Sequence, residues 1–408
     1  MLSPETIRSE DKPNILYLVH RVPCPPNRGD RIRSYHLLRH LSEKYNVYLA
    51  TLADEEVTEA VDTELSELCT ETAIVDVDRI KRWGRAAWNV TCGRTATEGL
   101  FRSPQLKNIV SDWGKQHQFD AVVVFCSSMA QYLDCLDIKD IPVIVDLVDV
   151  DSQKWFDYAE KRPSWKKWLY KMEGRRLRRL EQEITHAVSA VTLVSEAEAT
   201  LFRTTCPNEK THSVINGVDT EYFHPNFKSE RTDNPLCVFV GAMDYEPNID
   251  AVVWFAQHVW PLVRAKLPNA QFQIVGRNPT KEVTRLNETA GVEVIGGVPD
   301  VRDYVASATI AVAPLRIARG IQNKVLEAMA MGKPVIASAE ALEGLAVTPG
   351  QNVIEAKTAE NWSEEILRVF EDKELQQEFG DKGRNYAENH HSWDSCLQPF
   401  GNLCLSSD

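Results

Sequence analysis

A lysine and a glutamate three residues apart, Lys324 and Glu327, stand in the first turns of a predicted helix. The apolar strand Ile310 to Ala313 precedes this helix, and Gly332 and Pro334 end it after about three turns. The start of a helix presents unpaired N–H groups and a partial positive charge, which suit a diphosphate. The lysine could hold a phosphate and the carboxylate a sugar hydroxyl. The same pair also fits an ordinary helix that covers a sheet and exposes both side chains to solvent.

The elements around this pair form one βαβ unit, because a second apolar strand begins at Val335. Such a unit places the loop before its helix at the carboxyl edge of a parallel sheet, where these folds bind ligands. The predicted binding residues of that loop are Arg319, Gly320, Ile321, Gln322 and Asn323. A further cation, Arg277, follows the predicted strand Gln271 to Val275 and could reach the same anion. An exposed loop arginine is the alternative.

The first half of the chain repeats this arrangement. Gly29 lies between the predicted strand Asn14 to His20 and a predicted helix from Arg31 to Lys44. Its backbone N–H either faces an anion or only helps to shape the turn. The chain has no G-x-G-x-x-G motif at this turn, so a dinucleotide site has little support.

Three carboxylates follow the fifth predicted strand, Pro142 to Val145: Asp146, Asp149 and Asp151. Acids at this edge of a sheet can bind a metal or act as a base. They can equally cap the next helix, which is the commoner use of such residues. Asp149 is the candidate functional acid.

Residues 161–179 carry nine Lys or Arg against one Glu. Four of the cations fall on one face of a predicted helix, and tryptophans and apolar residues occupy another; the cations are Lys167, Lys171, Arg175 and Arg178. A basic helix with aromatics suits an anionic membrane surface, to which each cation can add about 1 kcal/mol. The alternative is a solvated face on a long helix.

Length and composition limit the class of protein. A chain of 408 residues is too long for one core and indicates two domains. The net charge of −13 argues against a general nucleic-acid binder. No apolar run reaches transmembrane length, and nine cysteines without a C-x-x-C pair indicate reduced thiols, so we expect a cytoplasmic protein without a zinc site. A polar stretch at 226–235 separates two α/β series, and a final helix follows.

The whole chain resembles a retaining GT-B glycosyltransferase of family four, and more closely the sugar transferases associated with the exosortase/PEP-CTERM system. The resemblance rests on the order and spacing of short motifs over some 320 residues. These motifs are Pro25-Pro26-Asn27-Arg28-Gly29-Asp30, Val194-Ser195-Glu196, Asn216-Gly217-Val218-Asp219, Val240-Gly241-Ala242-Met243-Asp244, Val275-Gly276-Arg277 and Asn323-Lys324-Val325-Leu326-Glu327.

This resemblance implies an α/β fold of two Rossmann-like, doubly wound domains that face a cleft. Residues 1–225 would form the acceptor domain and 226–388 the nucleotide-sugar donor domain, and 389–408 would be a helix that returns to the first domain. The donor is a nucleotide-diphosphate sugar, and the acceptor is a glycan or a lipid-linked molecule of exopolysaccharide or cell-surface polysaccharide biosynthesis. The resemblance implies no bound metal or other cofactor, and we expect the protein in the cytoplasm, with peripheral contact to the inner face of the membrane through 161–179.

Particular residues take roles by the same resemblance. Glu327 matches the glutamate that holds the nucleotide ribose, and Gly29 would approach the donor diphosphate. The family's other glutamate lies eight positions before Glu327, where this chain has Arg319. The cations that the family has in the first loop of the second domain are missing here, with Ala242 and Asn248 near those positions. Arg277, Arg319 and Lys324 are left to stabilise the leaving diphosphate. Asp149 stands where the family often has a histidine near the reacting sugar.

Two other classes of function stay open at this point. One is a nucleotide-sugar epimerase or hydrolase of the same fold. The other is a non-catalytic scaffold that binds a sugar nucleotide, which Arg319 and the missing loop cations would suit.

Overall fold

The computed structural model describes residues 12–26, 29–160, 164–228, 234–318 and 321–405. The chain forms two compact units: unit 1 comprises the residues up to Asn216 together with those from Leu397 onward, and unit 2 comprises Gly217–Cys396. Within the described ranges, no helix is both long and apolar enough to cross a bilayer. The predicted site residues Arg319 and Gly320 lie outside the described residues.

Unit 1 alternates strands and helices along the chain. In order, its described elements are β1 (Asn14–Val19), α1 (Gly29–Lys44), β2 (Asn46–Ala53), α2 (Glu59–Leu68), β3 (Glu71–Asp76), α3 (Arg79–Thr91), α4 (Ala96–Leu100), α5 (Pro104–Gln116), β4 (Ala121–Phe125), a 3₁₀ stretch (Ser127–Cys135), β5 (Val143–Val148), α6 (Asp151–Glu160), α7 (Ser164–Ala187), β6 (Ala190–Leu193), α8 (Glu196–Thr205) and β7 (Thr211–Ser213). The strands form one parallel sheet in the order β3-β2-β1-β4-β5-β6-β7.

Unit 2 has the same kind of alternation. Its described elements are β8 (Leu236–Val240), α9 (Glu246–Trp254), a π-helical stretch (Phe255–Val259), α10 (Trp260–Lys266), β9 (Gln271–Val275), α11 (Lys281–Thr284), a 3₁₀ turn (Arg285–Glu288), β10 (Val292–Gly296), α12 (Arg302–Ser307), β11 (Ile310–Ala313), α13 (Asn323–Ala330), β12 (Val335–Ala337), α14 (Ala339–Leu342), β13 (Ile354–Glu355), α15 (Ala359–Glu371) and α16 (Lys373–His391). These strands are parallel in the order β10-β9-β8-β11-β12-β13. The last helix, α17 (Trp393–Leu405), begins in unit 2 and ends in unit 1.

Both sheets are built from strands that are apolar on both faces. Ile15–Val19 of β1 and Val122–Phe125 of β4 are fully buried, as are Cys237 and Phe239 of β8. Parallel strands covered by helices on both sides read as continuous apolar runs, which explains why the sequence located most of them within two residues. The predicted α/β class and its parallel doubly wound sheets are therefore confirmed.

Each sheet reverses its strand order at one point, between β1 and β4 in unit 1 and between β8 and β11 in unit 2. Ligands of doubly wound sheets bind outside the carboxyl ends of the strands at this reversal. One length prediction is wrong: α13 has eight residues, about two turns, not three. The chain at Gln322 is still extended, with φ −92° and ψ 98°, so the helix begins later than the pattern indicated.

Candidate functional site: a buried lysine and glutamate at the strand reversal of unit 2

Lys324 and Glu327 lie where the strand order of unit 2 reverses. Both line a small cavity together with apolar residues of the two central strands, Val238 and Val240 of β8 and Ala311–Ala313 of β11. Helix α13 therefore presents its first two turns to the carboxyl side of β8 and β11, at the position that the βαβ pattern predicted. The geometry brings these two predicted site residues together.

The Lys324 ammonium is held by a residue in the first turn of α9, the helix that follows β8. Its Nζ donates a hydrogen bond of 3.0 Å to Asn248 Oδ1 and lies 3.5 Å from Gln322 Oε1. It also lies 5.3 Å from the centre of the Phe239 ring. Burial lowers the pKa of Lys324 to about 8, although Glu327 acts in the opposite direction. An anion bound here would be attracted to a lysine that is poorly solvated and has no carboxylate within ion-pair distance among the described residues.

The Glu327 carboxyl has a different environment. Burial raises the pKa of Glu327 to about 7, although Lys324 acts in the opposite direction. No described residue donates a hydrogen bond to this carboxylate. A half-buried carboxylate whose hydrogen-bonding capacity is unused can accept hydrogen bonds from the hydroxyls of a ligand. Strongly shifted pKa values with stated physical causes also tend to mark functional sites.

Asn248 is the residue of this site that sequence reasoning did not select. It is buried, its Nδ2 donates to the Ala242 carbonyl at 2.9 Å, and its Oδ1 accepts from Lys324. A Cβ on Gly241 would come within 2.7 Å of Asn248 Nδ2, so only glycine leaves room for this side chain. The one available signal was the position of Asn248 just after β8, where the resemblance implied a cation.

The loop between β8 and α9 is fixed by its close approach to the loop that follows β9. A Cβ on Gly276 would lie 1.6 Å from the Gly241 carbonyl oxygen, so the loops after β8 and β9 meet at glycine on both sides. Gly241 N–H donates to Val275 at 3.0 Å, and Met243 N–H donates to the Arg277 carbonyl at 2.9 Å. The backbone of Arg277 thus supports the loop between β8 and α9.

The other predicted site residues of unit 2 that the structure describes lie after β9 or at the start of α13. The Arg277 side chain is exposed, and no described residue pairs with it. Asn323 is exposed at the first position of α13, and Ile321 is half-buried against the core. Gln322 precedes the helix, and its side chain makes no capping hydrogen bond to α13.

Asp146, which lies within β5 and not after it, belongs to a buried ion pair in unit 1. Arg33 of α1 donates from Nε to Asp146 Oδ2 at 2.7 Å and from Nη2 to Oδ1 at 3.2 Å. Thr192 and the Val148 N–H also donate to Oδ1, at 3.0 and 3.3 Å. Arg33 is 1% exposed and Asp146 is fully buried, so Asp146 is occupied in fastening α1 to the sheet.

The candidate acid Asp149 has a cation as its partner. Lys154 Nζ lies 2.7 Å from Asp149 Oδ2 and 3.6 Å from Asp151 Oδ1, and Ser127 donates to Asp151 at 3.1 Å. Burial would lower the pKa of Lys154, but Asp151 and Asp149 outweigh it and the net shift is upward. Val148, just before Asp149, has φ 68°, a strained conformation for a β-branched residue. Asp149 is therefore a positioned carboxylate at a strained strand end.

Two other predicted features of unit 1 can be placed. Gly29 is the first residue of α1, so the helix begins two residues before the predicted Arg31 and Gly29 lies in its first turn. On α7, Lys167 and Lys171 both pair with Glu160, the latter at 3.0 Å. Arg178 lies 4.7 Å from the Phe156 ring centre, so part of the predicted basic face is engaged within the protein.

One family model matches a segment of the chain that contains this site. Residues 234–372 match the family model of Glycosyl transferases group 1, a segment that includes β8, Asn248 and all of α13. No curated protein matches the chain significantly in sequence.

Solved structures match nearly the whole chain. A glycosyltransferase from Rickettsia africae has a TM-score of 0.64 at 13% identity and covers 98% of this chain and 100% of its own. Sucrose-phosphate synthase from Thermosynechococcus elongatus has a TM-score of 0.61 at 17% identity, over 96% and 98%. Anabaena HepE, solved in complex with UDP-glucose, has a TM-score of 0.60 at 16% identity, over 97% and 100%.

The chain therefore has the GT-B fold, as predicted. The match to a glycosyltransferase family model covers most of unit 2, including Lys324 and Glu327.

Proposed function

We propose that this protein is a retaining, metal-independent glycosyltransferase. It would move a sugar from a nucleotide-diphosphate sugar to a glycan or lipid-linked acceptor in the biosynthesis of an exopolysaccharide or cell-surface polysaccharide. Such transfer breaks the bond between the anomeric carbon and the diphosphate oxygen and forms a bond to an acceptor hydroxyl oxygen. The acceptor hydroxyl loses its proton to the departing diphosphate oxygen or to solvent, and the nucleotide diphosphate is the leaving group.

One observation carries the proposal: α13 presents a half-buried cation and a half-buried carboxylate side by side at the strand reversal of unit 2, within the segment that matches the family. Lys324 would neutralise a diphosphate oxygen, because a bound anion restores the charged state that burial disfavours. Glu327 would accept hydrogen bonds from ribose hydroxyls. Arg277 and Arg319 are the proposed further cations for the leaving diphosphate.

The proposed donor site also includes Gly320, Ile321, Gln322 and Asn323 of the loop before α13. In unit 1, Gly29 would approach the diphosphate through its backbone, and Asp149 is the proposed catalytic group. Lys154 Nζ lies 2.7 Å from Asp149 Oδ2, and this charged contact orients the carboxylate. HepE in complex with UDP-glucose makes UDP and UDP-glucose the first ligands to test.

Replacing Glu327 with alanine tests the site directly. Loss of charge-assisted hydrogen bonds to a ribose should weaken UDP binding by about tenfold to a hundredfold in calorimetry. Glu340→Ala is the matched control, because Glu340 is an exposed carboxylate on α14 of the same unit. Equal UDP affinity in Glu327→Ala and the unaltered protein would remove Glu327 from the site.

The reaction itself is tested by release of free nucleotide diphosphate from a donor, with and without a glycan acceptor. Transfer predicts release that depends on the acceptor and persists in a chelator. Release that needs no acceptor would indicate a hydrolase, and an altered donor without release would indicate an epimerase. Binding without turnover of any common donor would indicate the scaffold. One observation favours the scaffold: Ala242 and Asn248 stand near the positions where the resemblance implied cations after β8.

Peripheral contact of residues 161–179 with the inner face of an anionic membrane is the remaining part of the proposal. Trp168, Leu169 and Arg175 of α7 are exposed and support it. Changing Lys167, Lys171, Arg175 and Arg178 to glutamate should abolish binding to anionic vesicles. Persistent binding would count against this contact.

A further inference from the structure

Helix α3 turns its apolar side chains away from the protein. Ile80 is 85% exposed, Trp83 62% and Trp88 67%. These are three of the larger apolar surfaces that the described residues leave uncovered, and they come from a single helix of 13 residues. Isolated exposed apolar residues are ordinary, but a contiguous cluster marks an interaction site.

The three side chains share one face because their spacing follows the helical period. Ile80, Trp83 and Trp88 fall at i, i+3 and i+8, and the small residues Gly84 and Ala87, also exposed, fall between them. The protein side of the helix is formed by Ala86 and Asn89, which are buried. The side of α3 that faces solvent is therefore more apolar than the side that packs on the protein, which is the opposite of the usual arrangement in a surface helix.

Basic side chains lie on the same helix: Lys81 is exposed, and Arg82 and Arg85 are half-buried, each with a buried Nε. Lys81, Arg82 and Arg85 lie on α3, and no acidic residue occurs from Arg79 to Thr91. Lys81 reaches the capping residue Asp78 at 3.2 Å, while no described residue forms an ion pair with Arg82 or Arg85. A chain with a net charge of −13 thus concentrates positive charge beside its exposed tryptophans.

We propose that α3 is a membrane-docking helix that lies in the interface plane of an anionic bilayer. An interfacial helix has a tryptophan-containing apolar face and flanking Lys or Arg, without enough hydrophobicity to span the membrane. Its apolar face would enter the boundary between headgroups and acyl chains, and Arg82 and Arg85 would meet lipid phosphates. Tryptophan favours this depth because its ring is apolar and its N–H can bond to a headgroup.

Charge decides between a bilayer and another occupant. A second copy of this chain would bring an equally basic helix to the same face, so two copies would repel each other. An anionic lipid surface offers many phosphates and an apolar layer together, and both match α3. The exposed Trp168 and Leu169 of α7 form a separate candidate contact, so the two helices must be tested separately.

The test is co-sedimentation of the full-length protein with vesicles of equal parts phosphatidylglycerol and phosphatidylcholine. The variant Trp83→Ser/Trp88→Ser should bind about a hundredfold more weakly, because each ring contributes a large buried apolar area. Arg82→Glu/Arg85→Glu should weaken binding and remove its dependence on salt. Vesicles of phosphatidylcholine alone should bind the unaltered protein much less than the mixed vesicles.

Matched variants keep the outcome decisive. Tyr158→Ser removes an exposed aromatic of α6 in the same unit and should leave vesicle binding unchanged. Urea unfolding, which needs neither UDP nor an acceptor, reports that the α3 variants are folded, so a failed transfer reaction would not affect the result. Vesicle binding that survives Trp83→Ser/Trp88→Ser but is lost in Trp168→Ser would assign the contact to α7 and overturn the proposal. Self-association of the protein that Trp83→Ser/Trp88→Ser abolishes, without any vesicle binding, would also overturn it.

Discussion

Replacing Glu327 with glutamine should make the protein more stable at neutral and alkaline pH while it weakens nucleotide binding. The substitution keeps the shape of the side chain and removes the charge. A carboxyl pKa of about 7 in place of the ordinary 4.5 means that the folded protein disfavours the ionised form by about 3 kcal/mol. Glutamine avoids this cost because it has no proton to lose.

The pH dependence gives the sign of the effect. Between the ordinary pKa of 4.5 and the folded pKa of about 7, the unfolded chain has lost the Glu327 proton and the folded protein still holds it. Stability of the unaltered protein therefore falls as pH rises through this window. Above this window, the free energy of unfolding of Glu327→Gln should exceed that of the unaltered protein by about 2 kcal/mol. The difference is less than the full cost of ionisation because the ionised carboxylate also helps to keep Lys324 charged.

Urea unfolding between about pH 5 and pH 8 measures this difference as a free energy of unfolding. The two proteins should have similar stability at the acidic end and diverge as pH rises. Glu340→Gln, at an exposed carboxylate of α14, should follow the unaltered protein throughout. Parallel pH profiles for Glu327→Gln and the unaltered protein would show that Glu327 ionises normally, and the reasoning from its burial would then be refuted.

Two further predictions concern the packing that supports the site. Arg33→Met leaves Asp146 buried without its partner and should cost about 3–5 kcal/mol in urea unfolding, and a cost near zero would contradict the buried pair. Gly276→Ala places a methyl group 1.6 Å from the Gly241 carbonyl oxygen and should lower the melting temperature sharply or prevent folding. Gly297→Ala, whose Cβ would meet its nearest atom at 3.4 Å, should melt close to the unaltered protein, and equal effects of the two changes would refute the crowding.

The sequence predicted the sheets well because buried parallel strands are apolar on both faces. It also predicted that Lys324 and Glu327 would lie at a sheet edge, since a βαβ unit leaves few other positions for the loop before its helix. Both inferences depend on residues that are close together in the chain.

Contacts between distant residues were not accessible in the same way. Asn248 and Lys324 are 76 positions apart, and Arg33 and Asp146 are 113 apart. Nothing in the sequence around Asn248 shows that its amide oxygen will accept a hydrogen bond from a lysine. Nor does the sequence around Asp146 distinguish this acid, which is buried in an ion pair, from Asp149. An apolar stripe such as that of α3 predicts a helix, but the sequence alone does not say whether the stripe faces the core or solvent.

The course of α17 has a consequence for biosynthesis. Leu397 and Phe400 are fully buried in unit 1, and a Cβ on Gly401 would lie only 3.1 Å from His40 Nε2 of α1. These residues leave the ribosome after all of unit 2 has been made. The first-made unit must therefore wait with part of its core uncovered, which is a period of exposure to aggregation. A nascent chain stalled before residue 397 should accordingly engage chaperones through unit 1 even when unit 2 is already complete.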